Sequence, residues 1–247
     1  SPAISPFIGG FIGHYFNWPA TFIFVSLFAL TIALLVSFYM PETLDDKNKQ
    51  PLHFLKIISA YPKLLMTRKF IAYVSAPCTA YIAYFAYISQ SPFIFHAQGF
   101  GERAIGSFYI TLALTYVIGN LIARWLLNYY ELNKVLYIGY AMFNVGGLLF
   151  LMVGALHLPL FAMVAAISIL TLGNGFLIPL GVAGVVSSFA KTTGYASGLL
   201  GFLQLGVAAL SASFIDAISQ NSIFILGIYI FITTITGLFL FKFFIKE

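Results

Sequence analysis

The stretch that decides the fold is residues 135–190, which read VLYIGYAMFNVGGLLFLMVGALHLPLFAMVAAISILTLGNGFLIPLGVAGVVSSFA and contain no Asp, Glu, Lys or Arg. A helix of about 20 apolar residues crosses the hydrocarbon core of a bilayer, so this stretch is long enough for two crossings. His157–Pro159 interrupts it near the middle, and proline is poorly tolerated inside a helix. The stretch therefore predicts two membrane-spanning helices, at about 135–156 and 160–187.

The composition of the whole chain agrees with a membrane location. Of its 247 residues 61% are hydrophobic and only 8% are charged, whereas a soluble domain carries about 25% charged residues. So few charges cannot cover the surface of a water-soluble globule, and the outer surface must therefore face lipid. The net charge is +5, but the 12 Lys and Arg residues are scattered between apolar runs rather than gathered on one basic face. This distribution argues against nucleic acid as a partner.

Six further apolar segments lie on either side of residues 135–190. They are apolar at both odd and even positions, whereas the strands of a membrane β-barrel alternate strictly. Helices satisfy all their backbone hydrogen bonds internally, as lipid requires. We therefore predict an all-α integral membrane protein with about eight spans, the first of them the end of a helix. The six further spans lie at about 2–16, 19–40, 70–91, 104–124, 193–215 and 222–243.

A polar segment at residues 41–69 divides the chain. It contains six basic residues: Lys47, Lys49, Lys56, Lys63, Arg68 and Lys69. Basic residues favour the cytoplasmic side of a membrane, and alternating spans place the later basic residues there too, except Arg103. We therefore predict two helices at 1–40, a cytoplasmic loop at 41–69 and a six-helix unit at 70–247. Residues 51–64 suit either a helix on the membrane surface or an ordinary linker.

Several short motifs along the chain resemble those of one transporter family. The opening Ser5-Pro6-x-x-Gly9-Gly10 is similar to the fifth-helix signature of drug:proton antiporters of the major facilitator superfamily. Further motifs follow in the same order as in that family: Trp18 with Phe22-Ile23-Phe24, Pro41-Glu42-Thr43-Leu44, Ser91-Pro92-Phe93, Gly119 with Arg124, Gly175-x-x-x-Pro179 and Gly194-x-Ala196-Ser197-x-Leu199-x-Gly201-Phe202-x-Gln204. Together they resemble its bicyclomycin-resistance (Bcr/CflA) branch, from the fifth helix to the C-terminus.

The resemblance implies a fold of two six-helix halves, of which this chain would hold the C-terminal half and the last two helices of the N-terminal half. It also implies export of small hydrophobic drugs in exchange for protons across the bacterial inner membrane, by a monomer without a cofactor. The antiporter motif of the family would bend a helix and seal the outward face, although plain helix packing explains the same residues: Pro6, Gly9, Gly10 and Gly13. The cytoplasmic loop motif of the family falls on Gly119 and Arg124, and a lipid-interface anchor is the simpler role for Arg124.

Tyrosines form one stripe along the predicted span at 70–91. At about 100° per residue, Tyr81 and Tyr84 fall in one sector with Tyr73 and Tyr87. A tyrosine stripe suits a wet cavity that stacks aromatic drugs and supplies weak hydrogen bonds. We therefore predict that Tyr81 and Tyr84 line a substrate cavity. Bundle packing and interfacial belts near the span ends explain Tyr73 and are an alternative explanation of Tyr87.

Amide side chains also lie inside the predicted spans, among them Asn120, Asn144, Asn174 and Gln204. In lipid such groups commonly join helices through hydrogen bonds that contribute about 0.6–2 kcal/mol. Asn174 and Gln204 lie near mid-span beside glycine-rich backbone, so we predict that these two contact the substrate as well.

Carboxylates are missing from the middle of every predicted span. Asp216, Glu102 and Glu131 lie at span ends or in loops, whereas proton-coupled transport needs a titratable group inside the membrane. We therefore expect the proton-carrying group of an antiporter to lie outside this sequence. Cys78 is the only cysteine, which excludes an intramolecular disulfide and a cysteine metal cluster.

Functions other than drug efflux leave different signatures. The spans contain no catalytic triad, His-Glu-x-x-His helix or phosphate loop, which excludes an enzyme. A permease for an anionic metabolite would favour cationic residues at mid-span, and none occurs there. A non-transporting membrane scaffold would need no cavity, so substitutions in the tyrosine stripe would leave its activity intact.

Overall fold

A computed structural model describes residues 5–40, 54–219 and 222–245 of the chain. These residues fold into α-helices joined by short connections: α1 Ser5–Phe16, α2 Trp18–Tyr39, α3 Phe54–Leu65, α4 Arg68–Ala97, α5 Glu102–Leu126, α6 Leu132–Ala155, α7 Leu160–Ser188, α8 Thr193–Ser219 and α9 Ile223–Ile245. Seven of these helices, α2 and α4 to α9, are long and apolar enough to cross a membrane. The prediction of an all-α integral membrane protein is confirmed.

Two of the helices extend further than the apolar runs that predicted them. Helix α4 continues past Pro92 to Ala97, and helix α8 continues past Asp216 to Ser219. A polar side chain at the membrane surface does not interrupt the backbone hydrogen bonds of a helix, so the last apolar residue is not the helix end. Helix α1 has 12 residues and covers most of the predicted helix end at 2–16.

The segment predicted as a loop at 41–69 contains a helix of its own. Residues 41–53 lie outside the described part of the chain, and α3 occupies Phe54–Leu65. Helix α3 packs against α8 and α4, and its Leu64 is buried. Of the two interpretations of residues 51–64, the structure therefore favours a helix over an irregular linker.

Helices α4 to α9 form one bundle. Helix α4 contacts α7, α8 and α9, while α7 also packs against α5 and α6. Glycines allow the closest of these approaches: a methyl group on Gly173 would lie 2.7 Å from the backbone nitrogen of Phe143 in α6. Helix α1 contacts α2 and α5, and none of the described residues of α2 is buried.

Interhelical hydrogen bonds supplement this packing. The Asn144 side chain donates to the backbone oxygen of Thr234 in α9 at 3.2 Å, as expected of an amide that joins helices. The Tyr73 hydroxyl donates to the Asn133 side chain at 2.9 Å, and the hydroxyls of Ser75 and Tyr140 lie 3.1 Å apart. These bonds link α4, α6 and α9.

The two ends of the bundle differ in charge. Because consecutive helices run antiparallel, the ends of the helices near α3 carry the basic residues: Lys63, Arg68, Lys69, Arg124, Lys134, Lys191 and Lys242. We call this end the basic end and the other the opposite end. Arg103 is the basic residue found at the opposite end, in the first turn of α5.

Candidate functional site

The tyrosine stripe of α4 divides into buried and half-buried members. Tyr87 is fully buried with its ring edge against Phe150 of α6, at 6.0 Å between ring centroids. Tyr73 is also buried, and its ring lies against Gly184 of α7. Bundle packing therefore explains both of these residues.

Tyr81 and Tyr84 retain partly exposed side chains in the middle of α4. Both rings contact Phe85: Tyr81 stacks on it at 5.7 Å between centroids, and Tyr84 meets it edge-on at 5.8 Å. These three rings form a continuous aromatic surface with two hydroxyl groups. Such a surface can stack a planar ligand and offer it weak hydrogen bonds.

Helix α5 adds two tyrosines to this surface that our sequence analysis did not identify. Tyr116 lies near Tyr81, and Tyr109 lies near Tyr84. The Tyr109 hydroxyl also lies 2.8 Å from the hydroxyl of Ser91. The signal was present, since Tyr109 and Tyr116 are seven residues apart and so share one helix face.

Asn174 of α7 lies at the same depth as Tyr84. A methyl group on Gly181 of α7 would touch the ring of Pro77 in α4, which places these two residues level. Asn174 and Tyr84 each lie seven residues, or about 10 Å, from that contact toward the opposite end. A methyl group on Gly175 would touch the backbone oxygen of Tyr116, which places α5 at the same depth.

We call Tyr81, Tyr84, Tyr116, Asn120 and Asn174 the tyrosine–amide layer. Asn174 is 1% exposed, and its side-chain oxygen accepts no hydrogen bond from the residues that the structure describes. The Tyr87 hydroxyl, one turn further along α4 than Tyr84, is the other such buried atom. A buried polar atom without a partner costs about 1–3 kcal/mol, so each is suited to a donor from outside the protein.

Gln204 does not join this layer. The Ser211 hydroxyl donates to the backbone oxygen of Ile82 at 2.9 Å, which fixes the depth of α8 against α4. Counting seven residues back along both helices brings Gln204 level with Ser75. It is therefore about nine residues, or 13 Å, nearer the basic end than Tyr84 is.

The antiporter motif lies partly within the described residues. Helix α1 begins at Ser5, so a bend at Pro6 would involve residues outside the described part, as do the surroundings of Gly10. Methyl groups added to Gly9 or Gly13 would meet nothing within 4 Å. These two glycines are therefore not positions of close helix approach in this structure.

Gly119 and Arg124 occupy different environments. Gly119 lies inside α5, where a methyl group would collide with the backbone oxygen of Leu172 in α7. It is a packing residue within the predicted span at 104–124, and α5 continues past it to Leu126. Arg124 is exposed in the last turn of α5 at the basic end, as expected of an interface anchor.

The layer has the chemistry of a binding surface rather than of a catalytic centre. It combines aromatic rings with hydroxyl and amide groups and contains no carboxylate, histidine or basic side chain. Among the described residues, no group of three or more His, Cys, Asp or Glu side chains could hold a metal ion. Bound molecules would therefore be recognised by shape, stacking and a few hydrogen bonds.

Membrane-spanning helices that surround a polar layer are found in many transporters, and comparison with known proteins identifies which kind this is. The family model described as Major Facilitator Superfamily matches residues 1–212. This chain belongs to the Major Facilitator Superfamily. The resemblance that the short motifs indicated is thereby confirmed, and the chain is a multi-pass membrane protein of a transporter family, not an enzyme.

Individual members of the Major Facilitator Superfamily are similar to this chain over most of its length. A "Bicyclomycin resistance protein homolog" of Haemophilus influenzae is 22% identical and covers 97% of the chain and 62% of its own length. The "Putative transporter AraJ" of Escherichia coli is 24% identical, covering 90% and 59%. The "Multidrug resistance protein MdtL" of a Shewanella species is 24% identical, covering 85% and 52%. The chain thus spans somewhat more than half the length of these relatives.

Proposed function

We propose that this chain is the larger part of a bacterial drug-efflux transporter that exchanges a small hydrophobic drug for protons across the inner membrane. The observation that carries the proposal is the tyrosine–amide layer, where Asn174 offers a buried acceptor without a partner beside aromatic rings. Drug-like molecules combine apolar surface with few hydrogen-bonding groups, and this lining complements both. Two relatives are named for resistance to bicyclomycin or to several drugs, which supports the proposal.

The same comparison supports a proposal for the organisation of the complete transporter. We propose that residues 1–40 are the last helices of an N-terminal half, that 41–69 connect the halves in the cytoplasm, and that 70–247 form the C-terminal half. The basic end then faces the cytoplasm. Rocking of the two halves about the tyrosine–amide layer would expose a bound drug to each side in turn, in a monomer.

The proton-carrying group and the gate of the proposed transporter lie outside the tyrosine–amide layer. Asp216 and Glu131 lie at the ends of α8 and α6, so no described span offers a carboxylate at mid-depth. We therefore propose that the proton-carrying group lies in the N-terminal part of the complete transporter. Pro6, Gly9, Gly10 and Gly13 remain candidates for the antiporter gate in another conformation, and Gln204 for substrate contact nearer the cytoplasm.

Transport by the complete encoded protein tests the proposal. Reconstituted into liposomes under an imposed pH gradient, the protein is expected to move chloramphenicol or a similar neutral drug against its concentration gradient. Tyr84→Ala or Asn174→Leu should raise the KM for the drug about tenfold, because each removes a contact to it. Tyr129→Ala is the matched control, because that tyrosine is 67% exposed and lies outside the layer.

Three results would count against the proposal. Transport that is indifferent to the pH gradient would exclude proton antiport. Uptake of a small metabolite in place of drug efflux would favour a permease. Equal effects of Tyr84→Ala and Tyr129→Ala would mean that the layer does not contact the substrate.

A further inference from the structure

A buried amide joins α4 to α8 near the opposite end of the bundle. Gln90 is 1% exposed, and its side-chain nitrogen donates to a carboxylate oxygen of Asp216 at 3.2 Å. Its side-chain oxygen accepts a hydrogen bond from the hydroxyl of Ser219. Both ends of the amide are thus used, and one oxygen of the Asp216 carboxylate is held in a fixed position.

The Asp216 carboxylate is nevertheless open on its other side. Its side chain is exposed, and among the side chains that the structure describes, which do not include that of Arg103, Gln90 is the one that hydrogen-bonds to it. Asp216 lies inside α8, three residues before the last residue Ser219. The second carboxylate oxygen accepts no hydrogen bond from these side chains. Because the carboxylate lies beside a bundle of low dielectric constant, its attraction for a cation exceeds that in water.

The direction in which Asp216 points follows from its neighbours on α8. The Phe214 ring packs on Tyr229 of α9, at 5.8 Å between centroids. Two residues turn a helix by about 200°, so Asp216 lies on the face of α8 that is turned away from α9.

We infer that Asp216 is a binding point for organic cations at the opposite end of the bundle, with Gln90 as the positioning residue that orients it. A carboxylate with one oxygen held by Gln90 and the other open to the outside can pair with an ammonium or phosphonium group. The inference rests on the proposed function only in that the cation is taken to be a transported drug. Asp216 would favour cationic drugs, whereas the uncharged tyrosine–amide layer does not distinguish drugs by charge.

A simpler role for Asp216 is to hold α4 and α8 together through Gln90. Asp216→Asn separates the two roles, because the asparagine oxygen can still accept the Gln90 hydrogen bond while the charge is lost. Equilibrium binding of tetraphenylphosphonium to the purified complete protein is expected to weaken about tenfold in this variant. Binding of neutral chloramphenicol should not change.

Glu131→Gln is the matched control, because it removes the same charge at the basic end and should leave both dissociation constants at their wild-type values. If Asp216→Asn does not purify as a single species, Asp216→Ser replaces it, with the same expected result. Tetraphenylphosphonium binding within twofold of wild type, or an equal loss of chloramphenicol binding, would overturn the inference. So would a variant that loses the pH dependence of transport but keeps tetraphenylphosphonium binding, because Asp216 would then carry a proton.

Because this measurement needs no transport, its failure is distinct from that of the proposed function. A wild-type protein that binds the cation through Asp216 but exports no drug would contradict the efflux proposal and leave the cation site standing. A protein that exports neutral drug while Asp216→Asn binds tetraphenylphosphonium normally would do the reverse.

Discussion

Helices α2 and α7 are both long, apolar and free of charged residues, yet they pack in opposite ways. No residue of α2 is buried, whereas more than half of the residues of α7 are. Helix α7 contains glycines that touch α4, α5 and α6, while α2 contains none. Hydropathy therefore places both helices in the membrane without distinguishing them, and the small residues of α7 permit its close contacts. Under the proposed organisation, α2 belongs to a half of which this sequence holds only the last two helices, so its exposure describes this chain alone.

The largest difference between the two helices should appear when a phenylalanine is truncated. Phe176 of α7 is fully buried and Phe28 of α2 is 58% exposed. Phe176→Ala should lower the free energy of unfolding by about 3–5 kcal/mol, because it leaves a cavity against α6. Phe28→Ala should lower it by less than about 0.5 kcal/mol. Thermal melts of the detergent-solubilised 247-residue chain, monitored by size-exclusion chromatography, measure both effects. Similar melting shifts in the two variants would contradict the comparison.

Enlarging a glycine tests the close approach of α7 directly. A side chain at Gly175 would lie 2.7 Å from the backbone nitrogen of Asn120, and backbone cannot move aside as a flexible side chain can. Gly175→Val should therefore cost about 3 kcal/mol. Gly106→Val in α5 is the control, because nothing lies within 4 Å of that position. The same melts apply, and a stable Gly175→Val protein would mean that α5 and α7 are not in contact at this depth.

The smallest expected effect concerns polar side chains that join helices. Asn144→Leu removes the hydrogen bond from α6 to Thr234 and should cost about 1 kcal/mol. Thr31→Val in α2 should cost nothing measurable, because the Thr31 hydroxyl bonds Leu27 of its own helix. Unfolding in denaturing detergent compares the two variants. If the Asn144→Leu protein were as stable as the Thr31→Val protein, the Asn144 amide would not stabilise the contact between α6 and α9.

The sequence predicted the spans, the basic end and the faces of the helices well, because each depends on one helix at a time. Tyr81 and Tyr84 share a face through their spacing alone, and Tyr109 and Tyr116 could have been found in the same way. The relative depth of Gln204 and Asn174 was not predictable, because it depends on how far one helix is displaced along another. That displacement is set by contacts such as Gly181 with Pro77.

Two helix ends were also misplaced, for a physical reason. The apolar run of α8 stops before Asp216, but the helix continues because its backbone bonds do not depend on side-chain polarity. The sequence did not indicate a role for the buried amide of Gln90, because it lies near the end of its span and its hydrogen-bonding partners are on α8.

Cysteine accessibility tests the central claim most directly, namely that α4, α5 and α7 enclose a drug-binding layer that α2 does not line. In the complete protein with Cys78→Ala, a charged thiosulfonate reagent should modify Tyr84→Cys. A drug at about ten times its Kd for this variant should slow that reaction about tenfold, because most binding sites are then occupied. Phe28→Cys should react slowly, at a rate the drug does not change. Modification of Tyr84→Cys that is equally fast with and without drug, or no faster than that of Phe28→Cys, would contradict the account.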